Sequence, residues 1–254
     1  MLILLPPSET KRAGGEEGTK LDYSRLRFPE LRRPRQVMVR AVQALARDAD
    51  AAAAALRLGP TQRGEVAHNR AVTRSATMPA VDRYTGVLFD ALDASSLPPN
   101  ARAYLAEHVV IHSAILGPVG ALDPIPTYRL SHDSRIPGFR LKQHWAAAST
   151  MALASHSGLI LDARSEAYAA LGPVPGGASS VFLRVVTETQ DGRRRALNHF
   201  NKHAKGELVR ELALSLCVLD SVDSLVEWGA SRGIRLQHGT GTGPGGMREL
   251  ELVV

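Results

Sequence analysis

The chain has 254 residues, a hydrophobic share of 44% and a formal net charge of +6 at pH 7. That length supports a substantial core in one large domain or two small ones, and no apolar run approaches the roughly 20 residues that span a membrane. The single cysteine, Cys217, excludes an internal disulfide and fits a reducing cytoplasm, while the arginine-dominated basic balance fits an anionic partner.

Residues 2–5, Leu-Ile-Leu-Leu, fit a strand buried on both faces, and Pro6 and Pro7 stop any regular element after it. The start lacks the basic region and long apolar stretch of a signal peptide. Ser8-Glu9-Thr10-Lys11-Arg12 then presents ligand-binding side chains, and Gly14-Gly15 closes the stretch. A buried strand that delivers a polar loop at its C-terminal edge is a common way to build a ligand site. Residues 14–34 read as a loop. From Gln36 onward, Val37, Val39, Val42, Leu45 and Ala46 recur at helical spacing. Residues 50–58 form an alanine-rich second helix stopped by Gly59-Pro60, and Thr61 can cap a third. Helix, Gly-Pro, helix suggests a helix-hairpin-helix whose hairpin amides, at Gly59, grip a DNA phosphate flanked by Arg57, Arg63 and Arg70. The usual Pro-Gly order is reversed here, and a plain pair of packed helices is the other reading.

Pro79 breaks the preceding helix, Tyr84-Thr85 are extended, and Gly86 permits a turn or close backbone approach. Residues 110–116 are a second buried strand ending at Gly117-Pro118, and Pro124 and Pro126 hold residues 123–130 extended. Residues 143–155 are expected to be a helix carrying Trp145. Residues 158–162 form a third strand, followed by a polar loop that enters a short helix. Residues 181–187 and 194–200 read as a hairpin turned by Asp191-Gly192. Residues 201–206 lead into a helix over 207–219 with Leu208, Leu212 and Leu216 on one face. A short helix near 222–229 and a final strand pair complete the chain. Without repeats or a linker, residues 1–254 read as one compact mixed α/β (α+β) domain, a central mixed sheet surrounded by helices.

One design recurs, an apolar strand followed by a polar loop: residues 2–5 with Ser8 and Lys11, 159–161 with Asp162, Arg164 and Ser165, and 196–200 with Asn201, Lys202 and Lys205. Neighbouring parallel strands would bring these loops to one edge. The third is physically strongest, because lysines at a helix start add to its unpaired, partly positive amides; a solvated basic turn is its plain alternative. Tyr84, Ser165 and Tyr168 are the candidate catalytic groups, with burial among cations expected to lower a tyrosine pKa toward acid–base use. Structural hydroxyls bonded to backbone are the alternative. His108 and His112 lack the glutamate of a zinc-protease helix, and no Walker loop or nucleophile elbow occurs. The glycine-rich stretch at 239–246 precedes a strand, which argues against a dinucleotide fingerprint. No metal and no cofactor are expected.

PPSETK at residues 6–11, RYTGVL at 83–88, PTYRL at 126–130, Trp145, RSEAY at 164–168 and HFNKHAKG at 199–206 stand in that order along the chain. In order and spacing they resemble the YaaA family of peroxide-stress proteins, in an actinobacterial-like subgroup, over nearly the whole chain. Glu166 and His203 depart from the family's pattern. The resemblance implies a compact single domain in the cytoplasm and protection against hydrogen peroxide by keeping reactive iron low. It also implies DNA binding through a positive cleft and a helix-hairpin-helix-like element. The same segments can instead form the pocket of an enzyme acting on a phosphorylated or nucleobase-containing small molecule. In either case Ser8, Lys11, Arg83, Thr85, Arg129, Arg164, Lys202 and Lys205 are the candidate ligand or phosphate contacts. The expected partner is DNA or a phosphate-bearing small molecule and not a membrane, with the oligomeric state left open.

Overall fold

A computed structural model describes the chain apart from residues 176–178, 189–193 and 197–200. Its strands are β1 (Leu2–Leu5), β2 (Thr77–Pro79), β3 (Val109–Ser113), β4 (Gly117–Gly120) and β5 (Pro124–Pro126), then β6 (Ile160–Asp162), β7 (Ser180–Glu188), β8 (Arg194–Ala196), β9 (Leu236–Thr242) and β10 (Arg248–Val253). The first helices are α1 (Arg32–Leu45), α2 (Ala49–Ala55), α3 (Val66–Ala71), α4 (Ala80–Arg83) and α5 (Val87–Leu92). They are followed by α6 (Pro99–His108), α7 (Leu141–Ala154), α8 (Glu166–Ala169), α9 (Asn201–Ser215) and α10 (Val222–Ser231).

The main sheet runs β4-β3-β1-β6-β7-β10-β9, with β8 added to β7, while β2 and β5 pair separately. β3, β1, β6, β7 and β10 are mutually parallel, and β4 and β9 flank them antiparallel. This is the expected central mixed sheet with helices around it. β1 sits at the reversal of strand order: the chain leaves it toward β3 on one side and later returns to β6 on the other. In such sheets the crevice beyond the carboxyl ends of the diverging strands is where ligands bind.

β1 shows why four consecutive aliphatics are needed there. Ile3 and Leu5 join the large core on one face of the sheet, and Leu2 and Leu4 join a smaller cluster on the other. A strand whose alternate side chains are buried on both faces has no polar side.

Several boundaries differ from the sequence reading, each for a local reason. Residues 14–34 hold two short 3-10 turns, Tyr23–Arg25 and Pro29–Leu31, and α1 begins at Arg32. Pro34 lies in the first turn of α1, where amides have no intrahelical partner, so a proline is tolerated. α2 begins at Ala49 because Asp48 caps it, its carboxylate accepting from the amides of Asp50 and Ala51 at 3.0 Å each. β4 begins with Gly117-Pro118, which reads as a stop; Gly117 has φ of +66°, and a Cβ there would lie 2.7 Å from the Trp145 ring. α5 and α6 are short helices that the sequence reading did not contain. α9 starts at Asn201 and not after Gly206, which brings Lys202 and Lys205 into its opening turns. The expected Asp191-Gly192 turn and residues 197–200 lie outside the described residues, although β7 and β8 do pair antiparallel through Glu188 and Arg194. Among the described residues no helix is long and apolar enough to cross a membrane.

Candidate functional site

Beyond the ends of β1 and β6 lies a cleft of about 580 Å³. Its walls come from the Pro6–Thr10 loop after β1, the Thr85–Phe89 turn into α5, Ser131 and His132, the Ala163–Tyr168 loop after β6, and the start of α9. Ser8, Thr85, Ser165, Tyr168, Lys202 and Lys205, all singled out from the sequence, line this one space. Ser165 caps α8, its hydroxyl accepting from the Tyr168 amide at 3.4 Å, which fixes the loop that presents Tyr168.

The α9 end is cationic. Lys202 is exposed and Lys205 is only 4% exposed, so the first opens to solvent while the second is set into the wall. Burial lowers the Lys205 pKa to about 8, with Asp162 opposing the shift and Arg184 adding to it. No described residue forms an ion pair with Lys205. The carboxamide oxygen of Asn201, the first residue of α9, is buried and without a hydrogen-bond partner among the described residues.

The Pro6–Thr10 wall is held from behind. Arg129, 6% exposed, donates to the Glu9 carboxylate at 2.9 Å and meets Glu65 at 3.3 Å; its own amide donates to the side-chain oxygen of Asn69 at 2.8 Å. Lys11 points inward and not into the cleft. Its ammonium donates to the carbonyls of Ser8 and Glu9 at 3.0 and 3.1 Å and lies 4.2 Å from the centre of the Tyr128 ring. Burial, with Arg129 nearby, lowers the Lys11 pKa to about 7 against the pull of Glu65 and Glu9. On the outer side the hydroxyls of Ser8 and Thr85 lie 3.2 and 3.1 Å from that of Thr10.

Three further candidates are internal. Arg83 is fully buried and donates to the carbonyls of Arg12, Gly14, Ala76 and Ile125. It ties the tail of the PPSETK loop to the body, and burial holds its pKa down to about 10. Arg164 is also fully buried, forming a two-pronged pair with Asp162 at 2.8 and 2.7 Å and donating to His112 Nδ1 at 2.9 Å. Burial, with that guanidinium beside it, holds the His112 pKa well below its ordinary value. Tyr84 is buried in the core, its hydroxyl 2.7 Å from that of Tyr128, to which Ser113 donates at 2.8 Å.

The tyrosine chemistry expected from the sequence is reversed in sign. Burial dominates over nearby cations and pushes the phenols of Tyr84 and Tyr168 above their ordinary range. Neither is poised to lose a proton near neutrality; Tyr168 presents its ring and a protonated hydroxyl.

The Gly59-Pro60 segment stands apart from the cleft lining. α2 and α3 are joined by a 3-10 turn, Pro60–Glu65, and the Gly59 amide donates to the Gln62 side chain at 3.2 Å. Arg57 pairs with Asp133 at 3.0 Å and Arg63 with Asp50 at 2.9 Å, all four exposed, while Arg70 donates to the Ala46 carbonyl. Glu65 connects this segment to the cleft wall through Arg129.

The sequence reading did not include Ser131, His132 or Phe89 as lining residues. Ser131-His132 directly follow the PTYRL segment, and a polar pair at the end of a proline-extended stretch was the available signal. Among the described residues no group of three or more His, Cys, Asp or Glu could hold a metal ion. The two departures from the family pattern are locally partnered: Glu166 meets Arg184 at 3.2 Å and His203 lies 3.1 Å from Glu207.

Comparison with known proteins agrees with the motif order. A family model described as peroxide stress protein YaaA matches residues 1–233. UPF0246 proteins of Corynebacterium glutamicum and Corynebacterium efficiens are 44% and 46% identical over 220 residues, 85% of this chain and 86% of theirs. A UPF0246 protein of Streptomyces coelicolor is 38% identical over 231 residues, 89% of this chain and 88% of its own. The chain belongs to the YaaA peroxide-stress family.

Proposed function

We propose that this is a cytoplasmic peroxide-stress protein that holds a phosphate-bearing group in the cleft and limits iron-dependent oxidative damage, with DNA as the bearer of that phosphate. The observation that carries the reading is Lys205, a buried lysine of the cleft wall in the second turn of α9, with no ion-pair partner among the described residues. A buried cation is costly unless anions compensate it; Asp162 supplies part of that compensation but is itself paired with Arg164, which leaves room for an anion in the cleft to complete it. Lys202 adds a second charge at the mouth. The exposed arginines Arg57 and Arg63 offer a further contact for a strand that leaves the cleft.

Gel-shift titration with duplex and branched DNA across salt tests this. Affinity is expected to fall steeply as salt rises, and Lys202→Gln, an exposed change, is expected to weaken binding about threefold to tenfold. Binding indifferent to salt and to that substitution would remove the phosphate grip. The concave shape of the cleft, with Ser165 and Tyr168 in its wall, favours a second reading, an enzyme acting on a phosphorylated small molecule. A panel of phosphorylated metabolites that raises the unfolding temperature of the parent protein but not of Lys202→Gln would support it.

A further inference from the structure

We infer that the unit seated in the cleft is a single nucleotide, either a free nucleoside 5′-monophosphate or an unpaired residue of a DNA strand. This rests on the phosphate reading above and adds what lies beside the phosphate.

The wall formed by the Pro6–Thr10 loop and Thr85 points to it, because its hydroxyls are matched to a sugar. Ser8, Thr10 and Thr85 form a small cluster of exposed hydroxyls, and Gly86, at φ of +99°, keeps the approach open, since a Cβ there would sit 3.4 Å from the Ser8 hydroxyl.

Another part of the wall is aromatic. The exposed His132 imidazole stands edge-on to Tyr168, ring centres 5.1 Å apart at 81°. Aromatic side chains accept a nucleobase by stacking whatever its identity. One such pair suits one base, consistent with a chain whose aromatic share, 5%, is too low for a platform along a strand. The cleft's roughly 580 Å³ falls within the range of small-molecule sites and is far larger than a lone phosphate requires.

Calorimetric titration of the full-length protein with inorganic phosphate, ribose 5-phosphate and adenosine 5′-monophosphate tests the assignment. Affinity is expected to rise along that series, with the nucleotide about tenfold tighter than the sugar phosphate. His132→Ala is expected to erase most of the last gain and Thr10→Val most of the first, while Lys202→Gln weakens all three together. A duplex carrying one unpaired 2-aminopurine, read by fluorescence against a fully paired control, distinguishes the sources. A change confined to the unpaired duplex names DNA, and tight binding of the monophosphate alone names a free nucleotide. Equal affinities for the three ligands would overturn the nucleotide assignment and leave the phosphate site standing. Failure of all three, and of the unpaired duplex, would overturn both.

Discussion

Lys205 and Lys11 are two buried ammoniums with opposite uses. Lys205 faces the cleft, and because it keeps its proton only below about pH 8, anion binding is expected to weaken as pH rises through that value; Lys205→Met, already neutral, should bind weakly with a flatter profile from pH 6.5 to 9.5. Lys11 instead staples the loop. Its folded pKa of about 7 lies below the ordinary 10.5, so the unfolded chain holds that proton more tightly and stability contributed through this group rises as pH climbs from about 7 toward 10.5. Thermal unfolding of the parent relative to Lys11→Met should show that gain, and parallel curves would contradict it. Arg164 gives a third residue-level expectation. Replacing it with Met leaves Asp162 buried and uncompensated, at a cost of about 3–5 kcal/mol in urea unfolding, much of which Asp162→Leu in the same chain should restore. From sequence alone these residues all looked like anion contacts. Spacing shows that a cation follows a strand, but not whether its head turns toward the cleft or into the body; Arg83 and Arg164 turned inward because backbone carbonyls and Asp162 were there to receive them.

At the level of elements, the position of α9 decides the site. Gly206 lies where α9 crosses α5, and a Cβ there would come 2.8 Å from the Ala91 side chain and closer still to the Leu88 carbonyl. Gly206→Ala should therefore push the two helices apart, costing about 1–3 kcal/mol, and should weaken anion binding more than that loss of stability explains, because Lys202 and Lys205 ride on the displaced turns. Unchanged affinity would show that the crossing does not set the site. The strands β1 and β6, the long helix α7 and the capped α2 were legible because each carries an apolar run, a periodicity or a cap in its own residues. α5 was not, being too short to show a period. α6 buries Ala101, Tyr104, Leu105 and His108 at helical spacing, but with a single aliphatic side chain larger than alanine among them the stripe was faint. β4 was hidden by a glycine and proline whose fit is set by Trp145 from a distant helix.

For the whole molecule, the parallel run β3-β1-β6-β7-β10 gathers residues from both ends of the sequence into one sheet. β10 pairs along its length with β7 and β1 with both β3 and β6, so no part of the sheet can open without disturbing the rest. Calorimetry is expected to show one cooperative transition, and two resolved transitions would mean the sheet divides. The mixed sheet, the helices around it and the family were readable from the order of motifs. Their meeting at the strand reversal beside β1 required topology, which residue patterns do not contain.

The Pro6–Thr10 wall is fixed from behind by Arg129, braced by the Lys11 ammonium, and joined along its edge, where the Arg12 amide donates to the Arg83 carbonyl and the Thr85 amide to the Thr10 carbonyl. A wall restrained on so many sides has little conformational freedom left to lose when a ligand arrives. Complex formation is then governed by diffusion and charge attraction and not by a folding of the loop around its guest, so little of the binding energy is spent on ordering the protein.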